Sequence, residues 1–97
     1  MFLIKPSHIS VNSARCYVGT EYRGSTTQCS LNDAVCSKVT LRGRQPVFLC
    51  STYSSLDSVG YTAYVGYELN CQNVAGYGEI CACNGLPYDE CNNPRKP

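Results

Sequence analysis

The sequence predicts a small, all-β, disulfide-rich domain. Three observations carry that expectation. Eight cysteines fall in 97 residues, the aliphatic content is low for a chain that must offset its own conformational entropy, and the segments between cysteines alternate apolar with polar residues without a convincing period of about 3.6. The apolar fraction of 43% includes eight Cys and eight Tyr. Met1, Phe2, Leu3, Ile4, Ile9 and Val11 precede the first cysteine, which leaves the cysteine-bearing region with few large aliphatic side chains. An even number of cysteines at this density is the usage of small extracellular domains and argues against a reducing compartment.

The elements follow in order. Residues 1–15 read as an extended or disordered arm. Between Cys16 and Cys29, Tyr17 and Val18 lead to a polar tip through Glu21, Tyr22, Arg23, Gly24 and Ser25, and Thr26-Thr27-Gln28 returns; this is a short β-hairpin. Between Cys36 and Cys50, Val39 and Leu41 alternate with polar residues, Arg42-Gly43-Arg44 supplies turn chemistry, and Val47 to Leu49 returns, which predicts a second hairpin. Leu31 to Val39 is the nearest approach to a helical pattern, yet it is short and ends in a β-branched residue. From Val59 to Leu69, the set Tyr61, Ala63, Val65, Tyr67 and Leu69 opposes Thr62, Tyr64, Gly66 and Glu68, predicting a strand with bends at Gly60 and Gly66. Tyr61 and Tyr67 would then face the core and Tyr64 a contact surface.

Charge and chemistry exclude several function classes. Eight Lys plus Arg against seven Asp plus Glu give a net charge of +1, and no basic run marks a nucleic-acid footprint. No stretch approaches the roughly 18 apolar residues of a membrane span. The closing Cys91-Asn92-Asn93-Pro94-Arg95-Lys96-Pro97 lacks the hydrophobic tail of a lipid-anchor signal. Met1 to Ile4 is too short for a signal-peptide core before Lys5-Pro6, so either a leader was removed and a Met added or the gene model is incomplete at its start; removal is the favoured reading. Zinc sites pair cysteines two to four residues apart and often add histidine; here Cys81-Ala82-Cys83 is the only close pair and His8 the only histidine. No metal and no cofactor are expected. His8 lies outside the cysteine region, Asp89-Glu90 is the only adjacent acidic pair, and calcium and nucleotide loops are missing. The chain reads as a non-enzyme.

The cysteines at 16, 29, 36, 50, 71, 81, 83 and 91 permit about 105 pairings on arithmetic alone. Their order carries more. An opening Cys16-Tyr17, the late pair Cys81 and Cys83, and a terminal Cys91-Asn92 resemble the three-finger superfamily, which includes snake toxins, lymphocyte-antigen-6 and urokinase-receptor domains, and the ligand-binding ectodomains of activin-type receptors. The resemblance covers residues 16–92 and leaves 93–97 as a tail. More narrowly, Cys16-Tyr17-Val18-Gly19 with the spacing to Cys29 and Cys36 resembles the nematode ET module, an extracellular cysteine module. The resemblance implies a snake-toxin-like arrangement of β-hairpins. It also implies, by rank order, the bridges Cys16–Cys36, Cys29–Cys50, Cys71–Cys81 and Cys83–Cys91. Asn92 takes the place of an asparagine that ties the finger bases together; otherwise it is a turn residue. The long Cys50 to Cys71 span predicts a reshaped third finger.

Binding is the remaining class, and hairpin tips are where such a scaffold displays it. Lys38, Arg42 and Arg44 put three cations on the second hairpin, with guanidinium forks suited to a partner's carboxylates. Tyr22 and Arg23 on the first tip, and Tyr64 farther along, complete the candidate set, since tyrosine is favoured at interfaces. The plainer alternative is that these charges keep a turn solvated and a strand edge unpaired. The expected function is a secreted protein-binding module whose partner is an extracellular protein or receptor. A receptor ectodomain and a toxin-like channel effector or enzyme inhibitor are the alternatives.

Overall fold

The structure, a computed structural model, describes residues 14–30, 33–85 and 90–95. In chain order its elements are β1 (Ala14–Thr20), β2 (Gly24–Cys29), β3 (Ala34–Leu41), β4 (Val47–Thr52), α1 (Tyr53–Val59), β5 (Asn70–Val74) and β6 (Gly78–Cys83). The strands form one antiparallel sheet in the order β2-β1-β4-β3-β6-β5. All-β character with hairpins therefore holds, with one short helix added.

Register fixes where the hairpin tips lie. Thr20, at the top of β1, pairs with Val47 at the start of β4, and Leu41, at the top of β3, pairs with Gly78 at the start of β6. The turns at 21–23, 42–46 and 75–77 consequently share one end of the sheet. The disulfides lie toward the other. Cys16–Cys36 joins β1 to β3, Cys29–Cys50 joins β2 to β4, Cys71–Cys81 crosses the β5–β6 pair, and Cys83–Cys91 ties β6 to the C-terminal segment. These are the pairs carried over by rank order above. The first two close 20 and 21 residues, a loop length for which chain-entropy models give about 3 kcal/mol per bridge.

Alternation along β3 divides the interior between two faces, as the period of two requires. On one face Val35, Ile80, Ala82 and Val74 pack with Leu56 of α1 and Tyr61. On the other, Cys16, Cys29, Cys36 and Cys83 cluster with Ala14. Sulfur thus fills the volume that aliphatic side chains fill in larger domains. Tyr17 is buried and meets Phe48 edge-on, with centroids 5.3 Å apart, an arrangement that the ring quadrupoles favour. At Gly78 the backbone sits at φ 127°, where a Cβ would collide with the Thr40 carbonyl oxygen. Only glycine lets β6 begin so close to β3.

One expectation needs correction here, and another reaches the described residues only at its end. Ala14 and Arg15, the last two residues of the expected arm, belong to β1; residues 1–13 lie outside the described residues. The correction is that residues 59–69 do not form a strand. Thr52 caps α1, its hydroxyl accepting from the Ser55 N–H at 3.1 Å, and Gly60 ends the helix in the left-handed region at φ 103°. There the Gly60 and Tyr61 N–H groups return to Asp57 and Leu56 carbonyls, a glycine-based helix stop. Residues 61–69 then run irregularly across the sheet face. Tyr61 is buried at 3% exposure, whereas Tyr67 is 67% exposed and is not a core residue. The third hairpin, β5–β6, already pairs with β3 along the edge that such a strand would need.

Candidate partner-binding surface

The tip end of the sheet is built by local turn chemistry. In the first turn, the Thr20 hydroxyl accepts from the Arg23 N–H at 3.1 Å and from the Tyr22 N–H at 3.3 Å, while the Thr20 N–H donates to the Arg23 carbonyl at 2.7 Å. A threonine side chain thereby replaces solvent at the turn's backbone donors. This directs Tyr22 outward, 74% exposed. The second turn closes through Arg44 N–H to the Leu41 carbonyl at 2.9 Å, with Gly43 at positive φ; Arg42 and Arg44 are both exposed. The third turn closes through Tyr77 N–H to the Val74 carbonyl at 3.0 Å. Exposed Tyr77, Leu41 and Val47 stand with the cations at this end of the sheet.

The sequence-derived candidates divide into three places. Tyr22, Arg23, Arg42 and Arg44 occupy the tip end. Lys38 is half-buried in β3, with its ammonium 6.0 Å from the centre of the Phe48 ring, a distance at which the ring quadrupole attracts a cation. It is thus held against the sheet rather than grouped with the arginines of the turn. Tyr64 lies on the connection between α1 and β5, 80% exposed. Composition and turn reading overlooked Tyr77, Leu41 and Val47. The Gly76-Tyr77-Gly78 sequence, flanked by Val74 and Ile80, was the available signal for the third tip.

At the base, Asn92 is 1% exposed and joins strands that do not pair along this stretch. Its Oδ1 accepts from the Tyr17 N–H at 2.8 Å, and its Nδ2 donates to the Tyr17 and Ser37 carbonyls at 3.0 and 2.9 Å. The side chain therefore spans β1 and β3 beside the Cys16–Cys36 bridge. Farther along, Arg95 stacks over the Tyr17 ring at 5.7 Å and donates to the Glu21 carbonyl at 3.4 Å, so the C-terminal segment follows the first hairpin. Arg15 and Glu90 make a peripheral ion pair at 4.0 Å, and Glu90 accepts from Asn93 at 2.7 Å.

Sulfur atoms of Cys16, Cys29 and Cys50, and of Cys36, Cys83 and Cys91, lie within 4.8 Å of one another. Adjacent bridges account for this: each of these sulfurs is in a disulfide and has no thiolate to offer a metal. His8, Asp89, most of the loop before Cys91, and Lys96–Pro97 lie outside the described residues. Among the described residues no helix is long and apolar enough to cross a membrane. Four disulfides are the signature of an oxidising, extracellular setting. Compared with protein-family models, curated proteins and solved structures, the chain finds no match in any of the three.

Proposed function

We propose that this chain is a secreted module of the three-finger type that binds an extracellular protein or receptor through its hairpin tips. The observation that carries the proposal is the separation of the molecule into two ends. Bridges and the Asn92 tie hold the base, while Tyr22, Arg23, Leu41, Arg42, Arg44, Val47 and Tyr77 are displayed on the tips. Arginine and tyrosine beside exposed aliphatic groups form the composition that anchors protein interfaces. Strand order β2-β1-β4-β3 followed by a third hairpin, and a base crossed by Cys16–Cys36 and Cys29–Cys50, support the three-finger reading. Fold alone does not assign function; the tip composition gives the reading its content.

The test is a surface-plasmon screen of the full chain against a library of extracellular ectodomains, with each hit measured again using Arg42→Ala/Arg44→Ala and Tyr22→Ala proteins. The expected result is at least one hit whose affinity falls about tenfold or more with the tip variants, the size of a hot-spot loss, at unchanged melting temperature. Hits indifferent to both variants, or no hit at all, overturn it.

A further inference from the structure

The connection between β4 and β5 carries a second surface with the opposite character. Between Ser51 and Asn70 there is no lysine or arginine, while Asp57 and Glu68 are present. Asp33 joins them through the fold, because the pairing of Ala34 with Thr52 sets Asp33 beside Tyr53 at the start of α1. Tyr53 and Asp57 lie one helical turn apart and hence on one face. None of Asp33, Asp57 and Glu68 forms an ion pair among the described residues. Exposed tyrosines accompany these carboxylates: Tyr53 at 40% and Tyr64 at 80%.

A shallow groove of about 390 Å³ runs beside the helix between Tyr53, Leu56, Asp57, Tyr61, Ala63 and Val65. A second, of about 470 Å³, begins at Tyr64 and continues past Tyr67 and Glu68. Tyr64, on the wall of the second, lies close enough to Tyr53, on the wall of the first, to act on its phenol electrostatically. Both are open, which suits a peptide segment better than a small ion needing enclosure. Burial, the negative charge of Asp33 and the nearby Tyr64 raise the Tyr53 pKa above its ordinary value, and the phenol is neutral at physiological pH.

We propose that the groove beside α1, with Tyr53 and Asp57 on its wall and Asp33 and Tyr64 close to Tyr53, receives a basic segment of a partner protein by seating an arginine or lysine side chain. Charge complementarity selects the occupant: among the described residues no cation pairs with these carboxylates, and a cation over a tyrosine face gains from the ring quadrupole while its stem covers the apolar floor. The molecule already uses this contact twice, in Lys38 over Phe48 and Arg95 over Tyr17. The site stands independently of the tips.

The experiment is a titration of the isotope-labelled full chain with a capped heptapeptide containing two arginines in a Gly/Ser background, and with its glutamate counterpart, followed by amide chemical shifts. The arginine peptide should perturb Tyr53, Asp57, Ala63, Tyr64 and Val65, and the glutamate peptide should not. Asp33→Asn/Asp57→Asn and, separately, Tyr53→Leu should each weaken the arginine peptide about fivefold or more, while Arg42→Ala/Arg44→Ala should leave it unchanged. Amide shifts of the tip residues report that each variant remains folded. The proposal is overturned by equal responses to both peptides, by no perturbation at millimolar peptide, or by affinities indifferent to the groove variants. Concentration-dependent self-association that disappears with Arg42→Ala/Arg44→Ala also overturns it, because the occupant is then a second copy.

Discussion

Two amide side chains do the same job in two different settings. Asn92 and Gln72 each make three hydrogen bonds from one side-chain amide to backbone groups of other segments. Asn92 joins Tyr17 and Ser37 inside the cystine base. Gln72 reaches from β5 to the connection, its Oε1 accepting from the Thr62 and Ala63 N–H groups at 2.8 and 3.0 Å, and its Nε2 donating to the Gly60 carbonyl at 3.0 Å. The difference is water. Around Asn92 the partners are buried, and removing the amide strands them; around Gln72 the bonds are largely exposed, and solvent takes over. Disulfides also restrain the base on both sides, whereas residues 53–69 contain no cysteine and rely on packing of Leu56 and Tyr61 and on side-chain bonds such as Asn70 Nδ2 to the Tyr64 carbonyl at 2.9 Å.

That contrast is open to test. Asn92→Ala should have the largest effect, lowering unfolding free energy in urea by about 3 kcal/mol, since an N–H and two carbonyls lose partners in a dry site; a loss under about 1 kcal/mol breaks the comparison. Gln72→Ala should cost about 1 kcal/mol globally, yet accelerate amide exchange at Thr62 and Ala63 while leaving the β1–β4 amides protected. Uniform acceleration across the sheet would mean that the connection and the base open together. The smallest effect is with pH. Burial raises the Tyr61 pKa above 10.0, opposed by a hydrogen bond with the Ala82 backbone, so the folded state retains the proton longer than the unfolded chain. Stability is therefore fully present below about pH 10 and declines as pH rises through the folded pKa. Tyr61→Phe should reduce this alkaline decline, leaving the part due to Tyr53, whose pKa is raised in the same direction. An unchanged slope removes Tyr61 as a cause.

The same division governs what was legible in the sequence. The second hairpin stands where Val39 and Leu41 alternate and where Arg42-Gly43-Arg44 turns, because ladder pairing expresses itself in a period of two. On the connection the alternation of Tyr61, Ala63, Val65, Tyr67 and Leu69 misleads. Strand propensity is a weak preference that needs a sheet edge, and β6 holds the one beside β3. The helix had a readable frame in Thr52 and Gly60, a hydroxyl cap and a left-handed stop, around a run too short to show periodicity. The tips were legible as turns, but which side chains share that end depends on register between hairpins distant in the chain. The tyrosine and carboxylate groove was not legible, since Asp33 reaches Tyr53 only through the pairing of β3 with β4.

The tie between Tyr17 and Asn92 also has a meaning in time. A ribosome delivers the chain from the N-terminus, and the two residues are separated by 75 positions. While Asn92 is still inside the exit tunnel, the first and second hairpins are free to pair and cross-link, but the polar groups between them have only water to bind. The seam closes only once Asn92 has emerged, which makes a later stretch of the nascent polypeptide the fastener for an earlier one.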